Sequence, residues 1–452
     1  MSVVIRKAQG AELVAFEDSP LRGFHVWIAV AGSGGQFSDG FVLGIVGSTI
    51  ETVALRLHLT PVWVGALAAA SLAGLFFGAL LAGPIADRIG RRPIFGWDML
   101  AFAVLSASQW LVTSIEQLLL LRLLLGVTLG ADYVASKALV TEYCPQHFRG
   151  RLLSVLGIAW TTGYACASCV GFALRHFGTD PWRWMLLSSA LPAAVIFPLR
   201  LSIPESPLWL MHQGKTREAA QIVARKFGRH LAPPSANPSV RARGFPWRSL
   251  FSPRWRSRTL IACLFYVCQV TPFFAIGTFF PRVLAVLRVQ DGDLGGLVYA
   301  CFLLGGGLVG LLIADRIPRR VFLVSTFYAS ALVLAALTSW PDGSASVTLG
   351  FFALFSIILS AATNLEYVYT PELFPTELRA SGVGLAVAFS RLGAAAGTFL
   401  LPVVMHSLGV RAALVACIVV LILGGVGCQL WAPETGKAPL AAAEGADKRP
   451  LT

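Results

Sequence analysis

Charge is scarce in this chain. Of its 452 residues only 13% are charged, about half of the ~25% found in an average soluble domain. So few charges cannot cover a water-soluble surface, which excludes an ordinary cytosolic enzyme and a disordered protein. Histidine is scarce too, with seven scattered residues, and Asp plus Glu number 23. A membrane enzyme with clustered His or carboxylates at one face is therefore not indicated. The sequence holds no G-x4-G-K-S/T run, so nothing points to ATP as an energy source. The eight cysteines (144, 166, 169, 263, 268, 301, 417 and 428) lie in or beside apolar runs. Cys166 and Cys169 form a CxxC without His or acidic partners, which reads as small residues packing between helices rather than metal or redox chemistry. Residues 1–22 lack the apolar core of a cleaved signal peptide, so the first span is expected to serve as the insertion signal.

What is abundant points to a membrane. Hydrophobic residues reach 56%, with 44 Gly and 25 Pro, both better tolerated in membrane helices than in soluble ones. A span needs ~20 apolar residues at ~1.5 Å each. Twelve such stretches occur, near 24–50, 62–86, 94–113, 117–141, 152–174, 182–199, 259–285, 294–314, 321–340, 346–369, 381–405 and 410–431. The expected fold is an all-α membrane protein of twelve transmembrane helices in two six-helix bundles. Its expected division is a cytoplasmic segment 1–22, a bundle 23–210, a basic linker 211–256, a bundle 257–432 and a disordered tail 433–452. The connection 211–258 alone holds eleven Lys/Arg against one acid, Glu218. Positive residues concentrate in alternate loops, which places both termini in the cytoplasm and accounts for the net charge of +13. Nucleic-acid binding would need a basic folded face with aromatic platforms, and no such domain appears.

The chain also repeats itself. Asp87-Arg88-Ile89-Gly90-Arg91-Arg92 returns as Asp315-Arg316-Ile317-Pro318-Arg319-Arg320, and Glu142/Pro145/Arg149 returns as Glu372/Pro375/Arg379. Two independent motifs at nearly one offset imply halves of the same topology, related by an axis along the membrane normal. Such a chain is built to rock two halves about a central site.

At these motifs the sequence resembles the major facilitator superfamily over nearly its whole length. The run Gly83 to Arg92 is similar to that family's G-x3-D-R-x-G-R-R loop, and Arg122, Gly126 and Gly130 to its R-x3-G motif. The run Glu142 to Arg151, Pro204-Glu205-Ser206-Pro207-Leu208-Trp209-Leu210 and Pro371-Glu372-Leu373-Phe374-Pro375-Thr376 look like the sugar-porter and metabolite:proton symporter branch. The departures are specific. Pro318 stands where Gly is usual, Leu311 replaces a leading Gly, and Leu208 stands where sugar porters carry Arg. Phe37-Ser38-Asp39-Gly40-Phe41-Val42 resembles the D-G-x-D run of aromatic-acid and metabolite transporters, with Val42 in place of the second Asp. Cys268, Gln269 and Phe274 replace the Gln-Gln and Asn that sugar porters offer a hexose, which argues against a hexose.

A charge at the bilayer centre costs ~2.5–3.5 kcal/mol on insertion scales, so it normally faces a cavity or a partner. Within the spans these charges are Asp39, Asp98, Arg122, Asp132, Lys137, Glu366 and Arg391. Asp39, Arg122 and Asp132 are the candidates for proton coupling. A carboxyl in low dielectric prefers its neutral form, so Asp39, in mid-helix among glycines, can load and release a proton. At ~100° per residue, Arg122, Gly126, Gly130 and Lys137 share one helix face and Asp132 points elsewhere. That face either lines the cavity or packs on a neighbouring helix, with Arg122 pairing Asp39. Asp132 is either a lock inside its bundle or part of the proton path. The substrate-binding candidates are Lys137, Gln269, Asn364 and Arg391. Asp98, near Arg91 and Arg92, is expected to anchor a loop. The resemblance and the charge pattern together imply a cytoplasmic gate of Asp87, Arg88, Arg91, Arg92, Glu142, Arg149, Glu205, Asp315, Arg319, Arg320, Glu366, Glu372 and Arg379. In it Asp87 faces a helix N-terminus of the other half, and the arginines face Glu142, Glu205 and Glu372.

The expected protein is a monomeric secondary active transporter of the bacterial inner or plasma membrane, without cofactor or metal. It moves a small organic solute by proton-coupled alternating access, and three intramembrane cations favour an organic anion such as an aromatic or short carboxylic acid. The alternatives are a sugar or polyol proton symporter, a phosphate transporter, a drug exporter, or a transporter-like receptor.

Overall fold

A computed structural model describes residues 5–8, 11–16, 19–228, 231–232, 234, 247–286, 292–313, 316–340, 344–374 and 376–435. The apolar runs fold as helices because hydrocarbon offers no partner to a bare backbone amide. The first half contains α1 (Gly23–Arg56), α2 (Pro61–Ile89), α3 (Arg91–Ser108), α4 (Ile115–Tyr143), α5 (Gln146–Leu174), and a sixth span made of α6 (Pro181–Ser188) and α7 (Ala190–Leu201). The connection carries α8 (Pro207–His212), α9 (Thr216–Lys226) and α10 (Trp247–Leu250). The second half contains α11 (Arg256–Thr278) continued by α12 (Phe280–Val286), then α13 (Gly292–Ile313), α14 (Arg319–Ser339), α15 (Ala345–Glu372), α16 (Thr376–Leu408) and α17 (Val410–Trp431). Eleven described helical runs are long and apolar enough to cross a membrane, and a shorter apolar stretch, Val298–Gly310, lies in α13. Large apolar side chains such as Leu191, Leu332, Leu423 and Leu430 stand exposed on these helices, as expected of surfaces that meet lipid rather than water.

The first half packs α1 on α5, α2 on α4, and α3 on α4 and α7. The second packs α11 on α16 and α17, α13 on α15, and α14 on α15 and α17. The halves meet where α2 lies on α16 and α5 on α13. Glycines set the closest approaches. A Cβ at Gly74, Gly78, Gly126 or Gly130 would run into backbone atoms of the facing helix, so the glycine face of α4 is buried against α2. The alternative in which that face opens onto a cavity is thereby excluded for Gly126 and Gly130. Between the halves a Cβ at Gly47 would stand 2.9 Å from the Thr278 carbonyl, and one at Gly65 would strike the Phe399 carbonyl. Both contacts lie at the end of the molecule away from the charged loops.

Outside the spans, β1 (Ile5–Ala8) pairs antiparallel with β2 (Ala11–Ala15), which pairs parallel with β3 (Leu231–Ala232). The connection expected to be irregular thus carries short elements, docked through an aromatic cluster in which Phe227 meets Phe16 at 5.1 Å and Phe24 at 5.3 Å between ring centroids.

The sequence repeat is visible in hydrogen bonds. Ser114 caps α4 by accepting from the Gln117 amide, and Ser344 caps α15 by accepting from the Val347 amide. Arg91 Nε lies 3.2 Å from Glu142 Oε1, and Arg319 Nε lies 3.8 Å from Glu372 Oε2. The Glu205 carboxylate accepts the backbone amides of Arg91 and Arg92 at 3.0–3.3 Å, where the α3 dipole favours an anion. Glu434 does the same for the amides of Arg319 and Arg320, at 2.9 and 3.0 Å. Residues 433–435, expected to open the tail, are described, and Glu434 holds the start of α14. Three gate expectations are corrected. Glu205 meets the backbone amides of Arg91 and Arg92, because it sits over a helix start with bare N–H groups. Asp87 pairs with Arg91 at 2.8 Å in its own half. The backbone amide of Arg320 goes to Glu434 and its guanidinium to the Gln429 carbonyl. The side chains of Arg88 and Arg92 are exposed. Asp315 and the side chains of Arg149 and Arg379 lie outside the described residues.

Two outcomes follow. Gly126→Leu forces α2 and α4 apart, at a cost of about 3 kcal/mol or more, and lowers the thermal unfolding midpoint of the purified protein. Glu205→Ala and Glu434→Ala each remove about 1–2 kcal/mol, as for other helix caps. Their distance apart makes the double variant additive, checked by the same melting experiment.

Candidate functional site

Four buried ionisable side chains gather inside the first half. Arg200, one residue before the end of α7, is only 1% exposed. Its side chain turns inward because every nitrogen finds an acceptor there. Nε donates to the Ala31 carbonyl at 3.1 Å, Nη2 to Ser136 Oγ at 3.2 Å, and Nη1 to the Phe95 carbonyl at 3.1 Å. Nη1 also pairs with Asp98 Oδ1 at 3.3 Å and with Asp132 Oδ1. The guanidinium lies 3.9 Å over the Phe95 ring. Asp98 is therefore not a loop anchor. It stands two turns inside α3, on the face that packs against α7, and its carboxyl has left the loop arginines for Arg200. Asp132 also accepts from Ser136 Oγ at 2.7 Å.

Asp39 lies at the middle of α1 and is 2% exposed. Gln36 Nε2 donates to its Oδ2 at 3.3 Å, while its Oδ1 has no partner. Its charged neighbours are Asp132, Arg200 and Asp98 from its own half and Arg391 from the other. Arg122 does not pair with Asp39. Its Nη1 donates to the backbone carbonyl of Val42 at 3.3 Å, at the position where the related D-G-x-D run would offer a carboxylate. A main-chain oxygen there replaces the missing side chain.

A second group spans the halves. The Lys137 ammonium of α4 sits 3.6 Å above the centre of the Tyr133 ring. Arg391 of α16 approaches the same ring at 5.5 Å and Phe274 of α11 at 5.7 Å. Glu366 of α15 lies within electrostatic reach of both cations, which places it at the heart of this group as well as at the loop end where the gate was expected. Beside them Trp160 of α5 meets Phe273 and Phe274 of α11, each at 6.0 Å, and stacks on Tyr164 at 5.7 Å. Gln269 is 2% exposed, and neither its Nε2 nor its Oε1 has a partner. Asn364 is differently employed. Its amide donates to the carbonyls of Gly307 and Ala361 and ties α15 to α13. A cavity further along α1 is lined by hydroxyls of Ser48, Tyr164, Ser168 and Tyr299. Among the described residues no grouping of His, Cys, Asp and Glu could hold a metal ion.

Cations and aromatic rings of α4, α11 and α16 thus meet from opposite halves. Comparison with known proteins identifies the family. Residues 27–444 match the family model of sugar (and other) transporters. The inner membrane metabolite transport protein YgcS of Escherichia coli K12 is 40% identical over 430 residues, covering 95% of this chain and 96% of that protein. The niacin transporter NiaP of Acinetobacter baylyi is 28% identical, covering 83% of this chain and 86% of its own length. The gallate transporter of Pseudomonas putida is also 28% identical, covering 80% and 81%. A partially occluded, inward-open structure of the Escherichia coli xylose transporter XylE superposes with a TM-score of 0.78 at 19% identity, covering 92% of this chain and all of that one. By fold, motifs and matched length, the chain belongs to the sugar (and other) transporter family of the major facilitator superfamily, as a multi-pass membrane transporter of small organic solutes and not an enzyme.

Proposed function

We propose that this transporter moves an aromatic or short organic acid across the bacterial inner membrane, in symport with protons, by alternating access to one site between its halves. The observation that carries this reading is the pair of cations, Lys137 from one half and Arg391 from the other, set on the single ring of Tyr133. A planar carboxylate can stack along Tyr133 and Phe274 while its oxygens lie between ammonium and guanidinium, an arrangement that uses both charge and ring face. Glu366 lies within electrostatic reach of both cations, and an arriving anion competes with it for them. The relatives named for niacin and gallate support this choice, since both compounds are aromatic carboxylates. Asp39 supports the coupling, being at mid-span with one oxygen free to carry a proton.

The positive loops support a topology with both termini, and the repeated Arg–Glu hardware, on the cytoplasmic side. There Asp87, Arg91, Glu142, Glu205, Arg319, Glu372 and Glu434 brace each half separately. Closure of that end would repack the same groups across the halves. A second reading, a neutral sugar or polyol as cargo, draws on Gln269, whose buried amide is free to bond hydroxyl groups.

A thermal-shift panel of purified protein against nicotinate, gallate, 4-hydroxybenzoate, xylose and phosphate separates these readings. A shift confined to the aromatic acids is the expected result, and one confined to xylose overturns the anion. Lys137→Gln and Arg391→Gln each remove a charge-assisted contact of ~1.5–3 kcal/mol, a weakening of roughly 10–100-fold for the acid. Unchanged affinity in both variants counts against the site. Asp39→Asn abolishes accumulation driven by an inside-alkaline pH gradient in proteoliposomes, and full uphill uptake by that variant would rule out its coupling role.

A further inference from the structure

We propose that Asp98, Asp132 and Arg200, with Asp39 beside them, form the centre that stores and passes the coupled proton. This rests on the proton-coupled reading above and gives it a location. The four groups come from four helices, and their residues are 7%, 0%, 1% and 2% exposed respectively. The single Arg200 Nη1 faces both Asp98 and Asp132, so two carboxyls crowd one cation, and a carboxyl held beside another in low dielectric takes up a proton.

Charge counting gives the same answer. Three ionised carboxylates against one guanidinium would bury a net charge of −2 among apolar helices, which no protein interior sustains; such groups take up protons instead. The remaining cation that faces Asp39 is Arg391, and it also faces Glu366. Asp39 Oδ1 and Asp132 Oδ2 are enclosed and have no donor, the condition of a carboxyl oxygen that supplies its own hydrogen or waits for one. The donors of Arg200 are committed to Asp98, Asp132, Ser136 and two backbone carbonyls, so Asp39 receives no hydrogen bond from that cation.

The cluster also has a direction. Asp39 stands at mid-membrane, Asp98 two turns inside α3, and Arg200 at the loop end of α7. Asp132 Oδ2 points at Gly35, one turn of α1 from Asp39, and a Cβ at Gly35 would collide with it and with Arg200 Nη2. In the step proposed, a proton from the outer side converts the Asp39 carboxylate to the acid. It then passes to the Asp98–Asp132 pair, regenerating the Asp39 carboxylate, and the proton shared by that pair leaves to water at the charged-loop end. One proton is bound and one released, Arg200 stays charged throughout, and no other bond changes.

The test uses full-length protein and two readouts. Infrared spectra of the purified transporter at neutral pH, in H2O and D2O, are expected to show the C=O band of a neutral buried carboxyl. The band weakens in Asp98→Asn and returns in Asp98→Glu. Its absence from the unsubstituted protein overturns the proposal without any variant needing to fold. In proteoliposomes with nicotinate as probe, Asp98→Asn and Asp132→Asn lower the ratio of gradient-driven accumulation to solute exchange by about tenfold or more. An unchanged ratio, including a parallel loss of both activities as from simple misfolding, overturns the coupling role. If the unsubstituted protein takes up nicotinate with no response to the gradient, the proton-coupled reading itself fails. The infrared band then decides alone whether the cluster holds a proton.

Discussion

A charged group carried into a low-dielectric interior must be neutralised by a partner or by a proton, and the interior of this protein is organised by that requirement. Arg200 meets it with two carboxyls, a hydroxyl and two backbone carbonyls. Arg122 meets it with the carbonyl of Val42, and Lys137 and Arg391 meet it in part with the face of Tyr133. A buried ion pair adds little net stability over well-packed apolar residues of the same volume. Keeping four ionisable groups inside one bundle therefore argues for use rather than for strength.

The two halves share their end fittings and differ in their interiors. Serine caps, Arg–Glu pairs and glutamates over helix starts recur at a spacing of about 229 residues, a value set by the 228 to 230 offsets of the sequence motifs. At the local offsets of 228, 230 and 229 Asp98, Asp132 and Arg200 correspond to Thr326, Ala362 and Gln429, so the charged cluster has no counterpart in the second half. The second half instead carries Gln269, Phe274, Glu366 and Arg391 on α11, α15 and α16. Duplication gave both halves one mechanical frame, and the chemistry has been divided between them.

Much of this was legible in the sequence because it is periodic. Spans follow from apolar length, the repeat from matching motifs, and the family from residues 83–92 and 204–210. The direction in which a long side chain turns is not periodic. Arg200 and Asp98 stand near span ends, where a count of charges assigns them to loops, and only the packing of α3 on α7 shows that both turn inward. Glu434 was hidden differently, because its neighbours toward the terminus have the composition of a disordered tail. The one hint was that Pro433-Glu434-Thr435 echoes Pro204-Glu205-Ser206. Asn364 reads as a ligand by residue type, whereas a mid-helix amide can equally tie two helices together through backbone carbonyls, as it does here.

The glycine contacts between halves carry a mechanical consequence. Where Gly47 meets the Thr278 carbonyl and Gly65 the Phe399 carbonyl, the halves touch main chain against main chain. Such a joint behaves like a smooth bearing. Its opening costs mainly short-range dispersion, and its closing requires no search among rotamers. The charged end is built the other way: its directional bonds stiffen each half within itself, and the glycine seam joins one half to the other.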